Sequence, residues 1–131
     1  IIAVGTTSLR ALETVARLEL PMQGGPDRRA WSATEPEDEP FFAGVAVREG
    51  GVWDVAGATR LFIAPPDRPT ACDGLLTNFH LPGSSLLMLV AALVGDPAWR
   101  RVYAHAVAAR LRFYSYGDCM LVLPGIEEAA R

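Results

Sequence analysis

The 131-residue sequence contains no lysine; all 12 of its basic residues are arginine. Schiff-base chemistry and the phosphate-binding lysine of a P-loop are therefore excluded within these residues. Cysteine is scarce too. Cys72 and Cys119 stand far apart, form no CxxC pair, and are too few for the disulfide framework of a small secreted domain. They read as inert packing residues. With only His80 and His105 beside them, no zinc-ligand spacing arises, and no metal site is expected. Long hydrophobic runs are also missing. The longest, Leu86–Val94, falls far short of the ~20 residues that span a bilayer, so it predicts a buried core helix and no membrane partner. No charged-then-apolar leader is visible at the start. Together these absences predict a soluble protein in the reducing cytoplasm.

What is present is globular: 50% of residues are hydrophobic and 21% charged. The length suits a single α/β domain over residues 1–131. The first residue, Ile1, opens an apolar run without a methionine, which predicts a piece of a longer protein. The run Ile1–Val4 reads as a strand buried on both faces. After Gly5, Thr6, Thr7 and Ser8 can each cap a helix whose apolar positions are Leu9, Leu12, Val15, Ala16 and Leu20, with Pro21 as its stop. Residues 21–43 are rich in turn formers and charges and read as a long exposed, disordered loop. Four acids fall between Glu35 and Glu39, so this loop sets the sign of the net charge of −3. Gly50-Gly51 between Val45/Val47 and Val52/Val55 predicts a β-hairpin, and Leu61–Ala64 a further strand.

Gly74–Thr77 reads as a strand, Leu86–Val94 as a helix capped by Ser84 or Ser85, and Asp96-Pro97 as a helix start. That last helix has Trp99, Val102, Tyr103 and Ala106 on its apolar face; Cys119–Leu123 is a final buried strand. The fold class is α/β: a partly parallel sheet flanked by helices, with an antiparallel hairpin insertion.

Three polar clusters can carry chemistry. Gly5, Thr6, Thr7, Ser8 and Arg10 lie between a strand and a helix. Free N–H groups, hydroxyls and a guanidinium there suit a phosphate or carboxylate, and equally suit ordinary helix capping. Thr77, Asn78 and His80 crowd the end of an apolar strand, where open α/β sheets bind ligands. Asn78 can read a base or ribose edge and His80 can move protons near neutral pH, or both can satisfy a turn. In Arg112, Phe113, Tyr114, Ser115, Tyr116, Gly117 and Asp118, aromatics alternate with polar residues. They suit nucleobase stacking and ribose binding, or a core edge closed by a turn. Arg101, His105 and Arg112 share a polar stripe, fit for RNA phosphate or simply for solvent.

The order of these clusters resembles a known family. Ile2–Glu13 resembles its AVGTTSxRxLE segment and Gly57–Ile63 its GxTxxFI strand. Asp73–Pro82 resembles its LxTNFHLP signature, followed by the Ser85–Val90 helix, and Arg112–Leu121 resembles its RFFSYGDAML ending. The family is the S-adenosylmethionine:tRNA ribosyltransferase-isomerases of queuosine biosynthesis. The resemblance spans most of the chain apart from residues 21–56, and corresponds to the C-terminal part of a longer enzyme whose N-terminal part would be missing here. It implies S-adenosylmethionine as co-substrate and the tRNA anticodon loop as partner. The ribosyl group would pass to 7-aminomethyl-7-deazaguanine at the wobble position and isomerise to epoxyqueuosine, releasing adenine and methionine.

On that reading His80 and Asp118 are candidate catalytic bases. Gly5, Thr6, Thr7, Ser8, Arg10, Thr77, Asn78, Arg112, Tyr114, Ser115 and Tyr116 are substrate-binding candidates, with Tyr114 and Tyr116 as stacking partners. Two positions depart from the family pattern: Pro65-Pro66-Asp67 replaces Pro-Gly-Tyr, and Gly83 replaces a lysine. A non-catalytic binding fragment and a homologous transferase with another acceptor are the alternatives.

Overall fold

The computed structural model describes residues 1–18, 20, 28–31, 42–49, 52–115 and 117–123. Two three-stranded sheets organise them. The first has the order β1 (Ile2–Val4), β5 (Gly74–Asn78), β6 (Cys119–Val122). β1 runs parallel to β5, pairing Val4 with Leu76, and β6 runs antiparallel, pairing Leu76 with Leu121 and Asn78 with Cys119. The second sheet is an antiparallel meander of β2 (Arg28–Trp31), β3 (Phe42–Glu49) and β4 (Val52–Thr59). Glu49 pairs with Val52, the hairpin that Gly50-Gly51 predicts. The partly parallel sheet with helices and an antiparallel insertion is the α/β arrangement expected.

One face of the first sheet is packed and the other is open. Ala3, Leu75, Thr77 and Met120 are buried with Leu89, Val90, Tyr103 and Ala106. Across the ladder, Ile2 is 50%, Val4 66% and Leu121 52% exposed. The expectation that Ile1–Val4 is buried on both faces is therefore wrong. Among the described residues β1 has one neighbour, β5, and only Ala3 of its three residues is buried.

Helix α1 (Thr6–Arg17) departs from simple amphipathic reading. It ends before Pro21, and Leu12, Val15 and Ala16 face outward, while Thr6, Leu9, Glu13 and Thr14 are buried. The polar residues go inside because partners await them. The Glu13 carboxylate accepts hydrogen bonds from the backbone N–H groups of Thr70 (2.9 Å) and Ala71 (3.0 Å) and from Arg17 Nε (3.1 Å). Thr14 Oγ1 donates to the Arg10 carbonyl at 2.7 Å and also meets Thr59 Oγ1 at 2.9 Å.

Helix α2 (Ser85–Val94) is the buried core helix its composition predicts. Ser84 Oγ accepts from the Leu87 N–H at 3.2 Å, and Gly95, at φ 84°, ends it. Helix α3 (Ala98–Ala108) buries Tyr103 and Ala106, with Val102 largely exposed. Pro97 occupies its N-cap instead of the first helical position, and Asp96 pairs with Arg100 instead of capping.

Three further expectations change. Leu61–Ala64 buries Leu61 and Ile63 in strand-like alternation but joins no ladder. The Leu61 carbonyl is taken instead by Arg10 Nε. Within the expected loop at 21–43, Arg28–Trp31 forms β2 and β3 begins at Phe42; residues 21–27 and 32–41 lie outside the described residues. Cys72 is buried, whereas Cys119 is exposed. Among the described residues, no helix is long and apolar enough to cross a membrane.

Candidate functional site

The strand directions bring the three polar clusters to one edge of the first sheet. β1 and β5 are parallel, so Gly5–Ser8 and Thr77–His80 both follow carboxyl ends at the same edge. β6 is antiparallel to β5, so the segment before Cys119, Arg112–Asp118, arrives there too. Two hydrogen bonds fasten the junctions. The Gly5 N–H donates to the Leu76 carbonyl at 2.8 Å, and the Tyr114 N–H donates to the Phe79 carbonyl at 2.9 Å. Ligands of open α/β sheets sit at this edge.

At the first cluster, Gly5 takes a positive φ of 85°, a conformation glycine adopts without strain, and the chain turns directly into α1. No side chain caps this helix. Thr6 is buried, while Thr7 and Ser8 are exposed beside the uncapped first turn. Arg10 is engaged: Nε donates to the Leu61 carbonyl at 3.1 Å and Nη2 to the Thr59 carbonyl at 3.5 Å. It pins α1 to the segment that follows β4, and with Arg60, Phe62, Ser85 and Leu86 it lines a shallow cavity.

At the second cluster, Thr77 is buried and its Oγ1 lies 2.9 Å from His80 Nε2. The His80 backbone N–H donates to Tyr103 Oη at 3.1 Å. Phe79 is clasped between Tyr103 and Phe113, with ring centroids at 5.7 and 5.4 Å, which fixes the backbone on which His80 sits. Burial pushes the His80 imidazole below its ordinary value, which favours the neutral ring. Asn78 closes β5 opposite Cys119. Gly83 has a φ of 79° with no atom within 4 Å of an added Cβ. Asp67 closes a turn onto the Ala64 carbonyl at 2.9 Å.

The third cluster is a closed loop. Asp118 accepts from the Arg112 N–H at 2.8 Å, from Nη2 at 3.1 Å and from Nε at 3.4 Å. The hydrogen bonds and charge of Arg112 hold the Asp118 carboxyl below the usual range, and Asp118 in turn raises the Arg112 guanidinium. The Asp118 N–H returns to the Arg112 carbonyl at 2.8 Å. Gly117 is required by space: an added Cβ would stand 2.2 Å from the Arg112 oxygen. At the tip, Tyr114 holds φ 73° and is 64% exposed, beside exposed Ser115. Tyr116 lies outside the described residues.

The sequence reading missed Glu13 and Tyr103. Glu13 stands four residues before Arg17, a helical ion-pair spacing that signals a partner but not burial. Tyr103 counts as apolar in a periodicity argument, which hides its hydroxyl. His105, exposed on α3, is not part of this edge's hydrogen bonding. Among the described residues, no three His, Cys, Asp or Glu side chains gather to hold a metal.

Comparison with known proteins places the chain in a family. Residues 1–122 match the family model described as "Queuosine biosynthesis protein". The S-adenosylmethionine:tRNA ribosyltransferase-isomerase of Sphingopyxis alaskensis is 44% identical over 124 residues, covering 95% of this chain and 27% of the relative. That of Xanthobacter autotrophicus is 58% identical over 76 residues, covering 58% of this chain and 21% of the relative. The crystal structure of the S-adenosylmethionine tRNA ribosyltransferase of Thermotoga maritima superposes with a TM-score of 0.65 at 43% identity, over 94% of this chain and 32% of that one. The chain thus spans about a quarter of the length of the first of these relatives. With the family model covering nearly the whole sequence, the chain belongs to the queuosine biosynthesis protein family.

Proposed function

We propose that this chain supplies the carboxyl-edge active-site wall of an S-adenosylmethionine:tRNA ribosyltransferase-isomerase. In the reaction, the ribosyl group of S-adenosylmethionine passes to the aminomethyl group of a 7-deazaguanine at the tRNA wobble position, and adenine and methionine leave. The setting is the cytoplasm, where tRNA is modified. The observation that carries the reading is the convergence of three separate clusters on one sheet edge, joined by the Gly5–Leu76 and Tyr114–Phe79 hydrogen bonds.

The roles divide by chemistry. The uncapped first turn of α1, with Thr7 and Ser8, takes an anionic group, the methionine carboxylate or a tRNA phosphate. Arg10 braces that helix from the cavity wall. Tyr114 offers an exposed ring for stacking on adenine or deazaguanine, with Ser115 and Asn78 in hydrogen-bonding roles. Asp118 has its carboxylate occupied by Arg112 and closes the loop that carries Tyr114. His80, neutral and held at both ring and backbone, is the group left to act on the reacting ribosyl unit.

The test is adenine release by a full-length relative, such as the Sphingopyxis alaskensis enzyme, altered at the position equivalent to His80. His80→Ala is expected to cut turnover by roughly 10²–10⁴-fold, the range of a positioned proton-handling group. Near-normal turnover would remove His80 from the chemistry.

A further inference from the structure

The Thr77–His80 contact carries information about a proton. Thr77 is buried in β5, and its hydroxyl has one hydrogen-bonding partner among the described residues, His80 Nε2 at 2.9 Å. A hydroxyl holds one hydrogen to donate; if the imidazole donated into Oγ1, the Thr77 O–H would be a buried donor with no acceptor among these residues. Such a donor is costly and rare, whereas Thr77 donating to an Nε2 lone pair satisfies both atoms. The imidazole proton then resides on Nδ1, which has no described protein partner.

We infer that Thr77 is a positioning residue that fixes His80 as its Nδ1–H tautomer, so that His80 meets substrate as a hydrogen-bond donor and not as a resting base. The inference rests on the functional reading above for the words "meets substrate"; the tautomer itself rests on geometry alone. The arrangement is preorganised. Tyr103 Oη holds the His80 backbone, the Phe79–Tyr103–Phe113 cluster holds the turn, and Thr77 holds the ring. A neutral imidazole of this kind polarises an oxygen or nitrogen on which negative charge develops, without carrying a full positive charge into the site. Burial, which keeps the ring uncharged, works in the same direction.

The measurement is long-range ¹H–¹⁵N correlation of the imidazole nitrogens in the uniformly labelled 131-residue chain at pH 7.5. Nδ1 is expected to show the protonated, pyrrole-type signature and Nε2 the bare, pyridine-type one. The reverse pattern overturns the inference, and no variant has to fold for that result to count. Thr77→Val then removes the hydroxyl at nearly constant shape. It is expected to shift the tautomer ratio toward Nε2–H by roughly tenfold, the factor one net hydrogen bond supplies. Thr77→Ser is expected to restore Nδ1–H. An unchanged ratio in Thr77→Val overturns the positioning role. Should the tautomer behave as stated while His80→Ala leaves adenine release intact in a full-length relative, the failure belongs to the functional reading, since the spectroscopic result does not depend on turnover.

Discussion

Glu13 is a buried carboxylate ringed by donors, and removing it orphans them. Thr70 and Ala71 would each keep an unanswered N–H, and Arg17 would lose its partner. Glu13→Ala is expected to cost about 3 kcal/mol of stability, measured by urea unfolding. The same residue shapes the response to acid. Burial pushes its carboxyl up, but the hydrogen bonds from Thr70, Ala71 and Arg17 outweigh that and hold it below 4.5. Its stabilisation is full above that value and is lost as pH falls through the lower folded-state value. His80 acts higher. Its folded-state value lies below 6.5, so under pH 6.5 the unfolded chain binds a proton the folded chain refuses, and stability falls with pH. Urea midpoints are therefore expected to decline in two phases from about pH 6.5 downward, with Glu13→Gln shrinking the lower phase, to which Asp118 also contributes; a flat profile would refute this. Tyr114 separates stability from binding. Tyr114→Gly relieves its positive φ and is expected to stabilise the chain by about 1 kcal/mol in thermal unfolding. In a full-length relative the equivalent change is expected to weaken nucleotide binding by ~1–3 kcal/mol through lost stacking.

At the scale of elements, the loop from Arg112 to Asp118 depends on one missing side chain. Gly117→Ala places a methyl against the Arg112 carbonyl, so the loop must open and the Arg112–Asp118 pair must part. The expected readout is new protease sensitivity in this loop, with the rest of the chain still protected. This scale also marks how far sequence reasoning reached. Short elements with strong terminators were legible: α2 between Ser84 and Gly95, the β3–β4 hairpin, and β5 and β6 as apolar runs, although β6 is not the buried strand expected, since Cys119 and Leu121 are exposed. The errors have physical causes. α1 buries Glu13 and Thr14 because their partners come from distant segments, which no local period reveals. Leu61–Ala64 alternates like a strand, but among the described residues no strand pairs with it. The three site clusters were legible as compositions, since polar residues after apolar strands stand out. Their convergence was not, because it depends on the directions of β1, β5 and β6. From sequence Asp118 reads as a candidate base or as part of a closing turn, and only the fold shows Arg112 on its carboxylate.

Among the described residues of the whole molecule, one face of the first sheet is apolar and has no cover. Val4, Leu76 and Leu121 form a cross-strand row on it, with Ile2 alongside. A parallel pair is normally covered on both faces, so this row behaves as an exposed hydrophobic patch. The isolated chain is expected to enhance the fluorescence of an apolar dye while retaining cooperative unfolding. A Val4→Ser, Leu121→Ser double substitution should reduce that signal; an unchanged signal would locate the dye elsewhere.

The pairing of β1 with β5 also sets a clock. Ile2 and Gly74 are neighbours in the sheet but 72 positions apart in the chain, and among the described residues β1 pairs with no other strand. Closing a loop of that size costs about 4 kcal/mol in chain entropy, before any length-independent part. During synthesis at 5–20 residues per second, β5 follows β1 by roughly 4–14 s. For those seconds the first turn of α1 has no second strand beside it, so the sheet edge proposed to take an anion is not yet assembled. That edge is assembled only when β5 docks, and the rate of that long-range closure governs how soon Gly5–Ser8 and Thr77–His80 come together.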